Sequence, residues 1–343
     1  KEVGRLATAL LGSGVILALL ILFDVFPVVS LQPVLLINPV GTLQNSAAVL
    51  GAFFLLSLGF IIFRRTAEIK RYDVILAWLA LLSTGLALLL IDFKIGWIAI
   101  AAVSAIFLAV NSSRSFRKGA AGLGESSTIP SLVIMGVLAV SILLSAFSIP
   151  LQSLLPNLKS EIEIAPSLQS TLIIGRGVLE TKPALGSGPG TFVYDYDLYH
   201  PAAVNQTIFW NANFVHGFSF LATVLSTLGS LGIMAFLIFI ALVIYTLWRT
   251  ISRIEIIEPI TFGFGAVTLL GMILWFIYPP TFVMNQLIFL ALGGILAVTP
   301  PFPGGPGIKL WQVLERRNIF IQNQTGAFLV SLFVVTVTIL ALL

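Results

Sequence analysis

Nine apolar runs, set apart by short charged clusters, govern what this chain can fold into: residues 6–23, 46–63, 74–91, 95–110, 131–149, 220–248, 262–278, 282–298 and 326–343. About 20 apolar residues suffice to carry a helix across a hydrocarbon core of about 30 Å. Each run is therefore a candidate transmembrane helix, the fourth and eighth being short. Composition agrees: 58 % of the 343 residues are hydrophobic and 9 % are charged, against about 25 % charged in soluble domains. So few charges cannot cover a particle of this size in water. The expected fold is an all-α, polytopic integral membrane protein with about nine transmembrane helices, and a soluble enzyme is excluded.

The basic residues test this reading independently. With strict alternation, Lys94, Lys159, Arg176 and Lys182 fall on one side, and the remaining 14 of the 18 lysines and arginines fall on the other. Such asymmetry marks cytoplasmic loops. It places the amino terminus in the cytoplasm and the long 150–219 segment outside. The net charge of +4 is thus distributed by topology instead of gathered on a face, which argues against a nucleic-acid partner. Three regions follow: amino-terminal membrane helices over 1–149, a large external loop over 150–219 between the fifth and sixth spans, and carboxy-terminal membrane helices over 220–343. The chain starts at Lys1 and stops within an apolar run, so it is expected to be a portion of a longer protein. Residues 119–129 read as a small, polar loop and 299–307 as a stiff Pro/Gly turn.

The chain has no cysteine and only His200 and His216. Disulfides, thiolate sites and cysteine nucleophiles are absent, and no multi-histidine metal site is expected. Both histidines lie in the external loop, where the remaining chemistry-bearing residues also gather. Apolar residues at Leu168, Leu172, Ile173, Gly175 and Leu179 have helical spacing, and Lys182-Pro183 reads as a helix stop. Gly186, Gly188 and Gly190 follow. They permit positive φ, and their bare N–H groups could form an anion-binding nest; the plainer reading is a tight turn between a helix and an extended segment. Next come Phe192, Tyr194, Asp195, Tyr196, Asp197, Tyr199 and His200, then Asn205, Phe209, Trp210, Asn211, Asn213 and His216. Aromatic and amide side chains together suit the apolar faces and hydroxyls of sugar rings, although Phe209 and Trp210 also fit an interfacial belt.

These residues resemble those of the bacterial O-antigen ligase and O-antigen polymerase superfamily, polytopic membrane glycosyltransferases with a large periplasmic loop between late spans. The resemblance rests on Leu185-GSGPGTFVYDYDLY, on Leu225-STLGSLGIMAFL and, upstream, on Asn38-PVGTLQNSAAVLGAF. It implies a protein of the bacterial inner membrane that transfers glycan from a polyprenyl diphosphate donor to an acceptor glycan, lipid or protein at the external face. It further implies no metal and no cofactor, a loop histidine as base and loop cations on the diphosphate. The family places a His-Asn pair about eleven residues before a Gly-x-x-Gly; here Phe218-Ser219 occupies that place. His216, followed by Gly217, stands two residues early. Carried over residue by residue, His216 is the candidate base. Arg176 and Lys182 are the candidate diphosphate ligands. Gly186, Gly188, Gly190, Tyr194, Asp195, Asp197, His200, Trp210, Asn211 and Asn213 are the candidate substrate-binding set.

Two other classes stay open. The displaced histidine fits a divergent branch that keeps the fold as a non-catalytic scaffold or assembly subunit. A lipid or glycan flippase is a lesser option. A proton-coupled transporter is disfavoured, because no charge lies inside any of the nine runs.

Overall fold

The computed structural model describes residues 2–25, 39–64, 70–120, 128–147, 164–253 and 258–298. Among these the regular secondary structure is all helical, with no strand. Seven helices are long and apolar enough to cross a membrane. The spans of at least 18 residues lie in α1 (Glu2–Val25), α2 (Leu43–Ile62), α3 (Arg71–Ile91), α4 (Lys94–Ala120), α5 (Thr128–Ala146), α8 (Phe220–Arg253) and α9 (Pro259–Ile277). An eighth apolar helix, α10 (Phe282–Val298), is shorter at 17 residues. The ninth run, 326–343, and the 299–307 turn lie outside the described residues. So does most of the 119–129 segment: α4 continues to Ala120 and α5 starts at Thr128.

The chain divides into two compact units. The larger comprises residues 1–165, 218–220 and 240–297, with α2 and α9 at its centre and buried along most of their length. Small residues let these helices approach closely, as is usual where lipid supplies no hydrophobic drive. A Cβ on Gly59 would lie 2.7 Å from the Phe262 ring and 3.1 Å from Pro259 O, and one on Gly263 would lie 2.5 Å from Leu56. Gly14 gives the same clearance to Phe53, and Gly294 to Phe264.

Two polar contacts within the apolar layer tie helices together and avoid the cost of burying those groups unpaired. The Tyr278 hydroxyl donates to Asn45 Oδ1 at 2.9 Å, and Trp275 Nε1 donates to Asn285 Oδ1 at 2.8 Å. Asn45 is also fixed by Thr42, whose hydroxyl caps α2 by accepting the Asn45 N–H at 3.2 Å. The Gly-Thr-x-x-Asn stretch that contributed to the family resemblance thus works as a helix cap and a tie between α2 and the end of α9.

The third and fourth runs are joined tightly. Asp92 ends α3 in the left-handed conformation, and α4 begins at Lys94. They then diverge: α3 packs on α1 and α2, whereas α4 packs on α5 and α9.

Candidate functional site

The second unit comprises residues 166–217 and 221–239, together with 298–343, which apart from Val298 lie outside the described residues. It contains every candidate site residue. Its first helix, α6 (Leu168–Thr181), starts where Ser167 accepts the Ser170 N–H at 3.1 Å, and ends as Lys182 N–H bonds to Val178 O. The helix and its stop match the sequence reading, but the buried face does not. Thr171, Ile174, Gly175 and Val178 face inward, while Leu168, Leu172 and Ile173 are exposed. The cause is the partner surface: Gly175 lies against Leu225, and Thr171 fills the space that Gly217 leaves open. A helix selects its buried stripe by shape as well as by apolarity.

The glycine turn after α6 enters a break in α8. Gly229 leaves the helical conformation (φ 65°, ψ −162°). In an unbroken helix the N–H groups of Ser230 and Leu231 would bond to the carbonyls of Ser226 and Thr227. Here Ser230 and Leu231 donate instead to Pro183 O (3.0 Å) and Ala184 O (3.1 Å). Ser226 O and Thr227 O accept from Ser187 N (3.2 Å) and Gly188 N (2.8 Å). The turn is spliced into the helix, and each bond lost at the break is replaced by one to the turn.

This arrangement corrects the expectation of an anion nest. The Gly186 N–H donates to Lys182 O and the Gly188 N–H to Thr227 O, so neither is free for a ligand. All three glycines have positive φ; Gly186 needs its bare Cα for contact with Ser226 O and Gly229 N. The segment after the turn is also not extended. It forms α7 (Phe192–Tyr199), whose Phe192 and Tyr196 build a small core with Ile174, flanked by Tyr199 and Phe214. Gly177 of α6 leaves room for the Tyr199 ring.

The candidate residues fall into three groups. In the first, Asp195 is buried to 3 % exposure, and Ser187 Oγ donates to its Oδ2 at 2.5 Å. The Thr191 hydroxyl lies beside Ser187 and donates to Gly188 O at 2.6 Å. Burial pushes the Asp195 carboxyl above its ordinary range, partly offset by the Ser187 hydrogen bond and the positive charge of Lys182. Burial likewise raises the Tyr196 hydroxyl, with the charge of Asp197 adding to it.

In the second group, His200 stacks on Tyr196 at 5.0 Å between ring centroids. Its Nδ1 lies 2.8 Å from Tyr196 O and its Nε2 2.8 Å from Asn205 Oδ1. With both ring nitrogens engaged, His200 clamps the end of α7 to the short 3-10 turn Ala202–Gln206.

The third group is the exposed rim. Tyr194, Asp197, Asn211 and Asn213 are exposed, and Trp210 is 67 % exposed. Arg176 Nε donates to Glu180 Oε1 at 3.0 Å in an exposed ion pair, and Lys182 is also exposed. His216 is half-buried, with Nδ1 3.2 Å from Gly217 O. A carbonyl only accepts, so in that contact Nδ1 is the donor.

Ser187, Thr191 and Phe214 are structural members of this unit that sequence reasoning did not single out, and Gly217 and Gly229 entered it only as neighbours or landmarks of the motif. Gly229 had a signal: a glycine within a strongly apolar helical run marks a packing or conformational need. Among the described residues no group of three or more metal-ligating side chains is gathered. No family model, curated protein or solved structure matches the chain.

Proposed function

We propose that the protein is a membrane glycosyltransferase of the O-antigen ligase and polymerase type, acting on a polyprenyl-diphosphate-linked glycan at the external face of the bacterial inner membrane. It has nine spans with a cytoplasmic amino terminus. The 150–219 segment between the fifth and sixth spans carries the site. The observation that carries the reading is the placement of His216, whose Nδ1 lies 3.2 Å from Gly217 O: a neutral imidazole that donates Nδ1–H there has Nε2 as its base, which is what an inverting transfer asks of it.

His216 Nε2 takes the proton of an acceptor hydroxyl as its oxygen attacks the anomeric carbon. The bond from that carbon to the diphosphate oxygen breaks, and the polyprenyl diphosphate leaves. Arg176 and Lys182 accept the charge that develops on the leaving group. Tyr194 and Trp210 offer rings to the sugar faces, and Asn211, Asn213 and Asp197 offer partners to hydroxyls. His200, Asp195 and the glycines hold the frame.

The test is glycan transfer in proteoliposomes with a polyprenyl-diphosphate glycan and an acceptor. Wild type is expected to form product, and His216→Ala to lose most of the rate.

A second reading draws on a specific observation. Arg176 is already paired with Glu180, so the described part of the loop offers a diphosphate few uncommitted cations, which suits a scaffold that keeps the fold without transfer. Absence of product from a folded wild type, with every acceptor class tried, favours that reading.

A further inference from the structure

Helix α8 changes surroundings at the splice. Before Gly229, Ala222, Val224, Ser226 and Thr227 are buried. After it, Leu231, Met234, Leu237 and Ile238 are each about half exposed, on more than one side of the helix. Apolar side chains so exposed on a spanning helix face lipid.

Two arguments place the edge of the hydrocarbon core at this point. From Ser230 to Arg249, the first charge along the helix, the rise of about 1.5 Å per residue covers about 30 Å, the thickness of the core. Trp248, exposed beside Arg249, is the residue type that favours the interface at the far end. The second argument is electrostatic. A charged side chain is costly within the core, and Lys182 at the start of the turn is exposed. Residues 182–185 are irregular and exposed, and they are tied to Ser230 and Leu231 through Pro183 O and Ala184 O.

We propose that the 182–185 turn is a bilayer anchor: Leu185, 71 % exposed, enters the acyl boundary, Lys182 sits among lipid phosphates, and the 220–228 part of α8 stands outside the hydrocarbon core. The partner is the lipid headgroup layer at that end of α8. The inference needs only the span and is independent of the transfer reaction. A lysine beside an exposed leucine is the pairing that an interface accommodates, with the apolar stem and tip in lipid and the charge in the headgroups. The anchor holds α8 at one depth and leaves 230–249 as its lipid-crossing length.

The absence of cysteine allows single spin labels without background. The full chain in lipid vesicles would carry a label at Leu185→Cys, at Lys182→Cys, at Gln169→Cys as the aqueous reference or at Ile238→Cys as the acyl reference. The readout is relative accessibility to oxygen and to a water-soluble nickel chelate. The labels at 185 and 182 are expected to read between the references, with 185 the deeper. A label at 185 as chelate-accessible as that at 169 overturns the anchor. One as oxygen-accessible as that at 238 also overturns it, by placing the turn within the core. All four positions are exposed, so the labels leave packing intact, and agreement between 182 and 185 guards against distortion at either.

Discussion

Gly186 and Gly229 meet backbone to backbone: a Cβ on Gly186 would come within 2.6 Å of Gly229 N, and one on Gly229 within 2.5 Å of Gly186 N. Real side chains do not tolerate such distances, and both residues have positive φ. Gly186→Ala and Gly229→Ala are each expected to cost about 2 kcal/mol or more, through strain and displacement of the turn from the helix. Gly188→Ala meets nothing nearer than Thr191 Cγ2 at 3.5 Å and should cost only its backbone strain. Limited proteolysis within 182–191, compared across the three variants, ranks them directly; equal sensitivity of Gly186→Ala and Gly188→Ala contradicts the splice.

Asp195 gives the second unit a pH dependence of defined sign. Its folded carboxyl titrates above the ordinary value of 3.8, so just above that value the folded chain holds a proton that the unfolded chain has lost. The stabilisation is complete below 3.8 and falls as pH rises through the folded value. Asp195→Asn keeps an acceptor for Ser187 and removes the buried charge. It is expected to flatten the fall in stability that wild type shows as pH rises above 3.8, and to match or exceed wild-type stability once the pH has passed the folded value. Thermal unfolding over a pH series checks it, and a variant whose stability falls with rising pH as steeply as that of wild type contradicts it.

The two histidines should separate by phenotype. His200 joins Tyr196 O to Asn205, so His200→Ala is expected to destabilise the end of α7 by about 1 kcal/mol or more while the surviving folded protein keeps its turnover. His216→Ala is expected to leave stability within about 0.5 kcal/mol and to slow transfer by about 10²–10⁴-fold. Melting temperature and kcat, measured on the same preparations, distinguish the pair.

Glu180 competes with any diphosphate for Arg176. Glu180→Gln is expected to lower the KM for the lipid-linked donor, Arg176→Ala to raise it, and neither to shift the melting temperature appreciably, since exposed ion pairs contribute little. Donor titrations check both; a raised KM in Glu180→Gln contradicts the assignment.

The membrane helices were legible because apolar length is a local, additive signal, and the runs at 46–63 and 262–278 reappear as α2 and α9 nearly unchanged. The helix at 168–181 was legible too, through its spacing and the Lys182-Pro183 stop. Its buried face was not, because the void beside Gly217 and the surface of Leu225 come from residues some 40 to 50 positions away. The role of the glycine turn was hidden for the same reason. Positive φ could be read from Gly186, Gly188 and Gly190, but not the break at Gly229, where the freed carbonyls of Ser226 and Thr227 accept from Ser187 and Gly188. Tyr194, Trp210, Asn211 and Asn213 were chosen for their chemistry, and their exposure leaves them available for it. Asp195 was chosen for the same reason, yet lies buried under Ser187.

The central claim, that His216 is the base of a transfer from a polyprenyl diphosphate donor, is tested most directly by the rate of polyprenyl diphosphate release in proteoliposomes supplied with donor and acceptor. Wild type is expected to release it in step with acceptor glycosylation, with His216→Ala slower by about 10²-fold or more. Equal rates in wild type and His216→Ala would contradict the account.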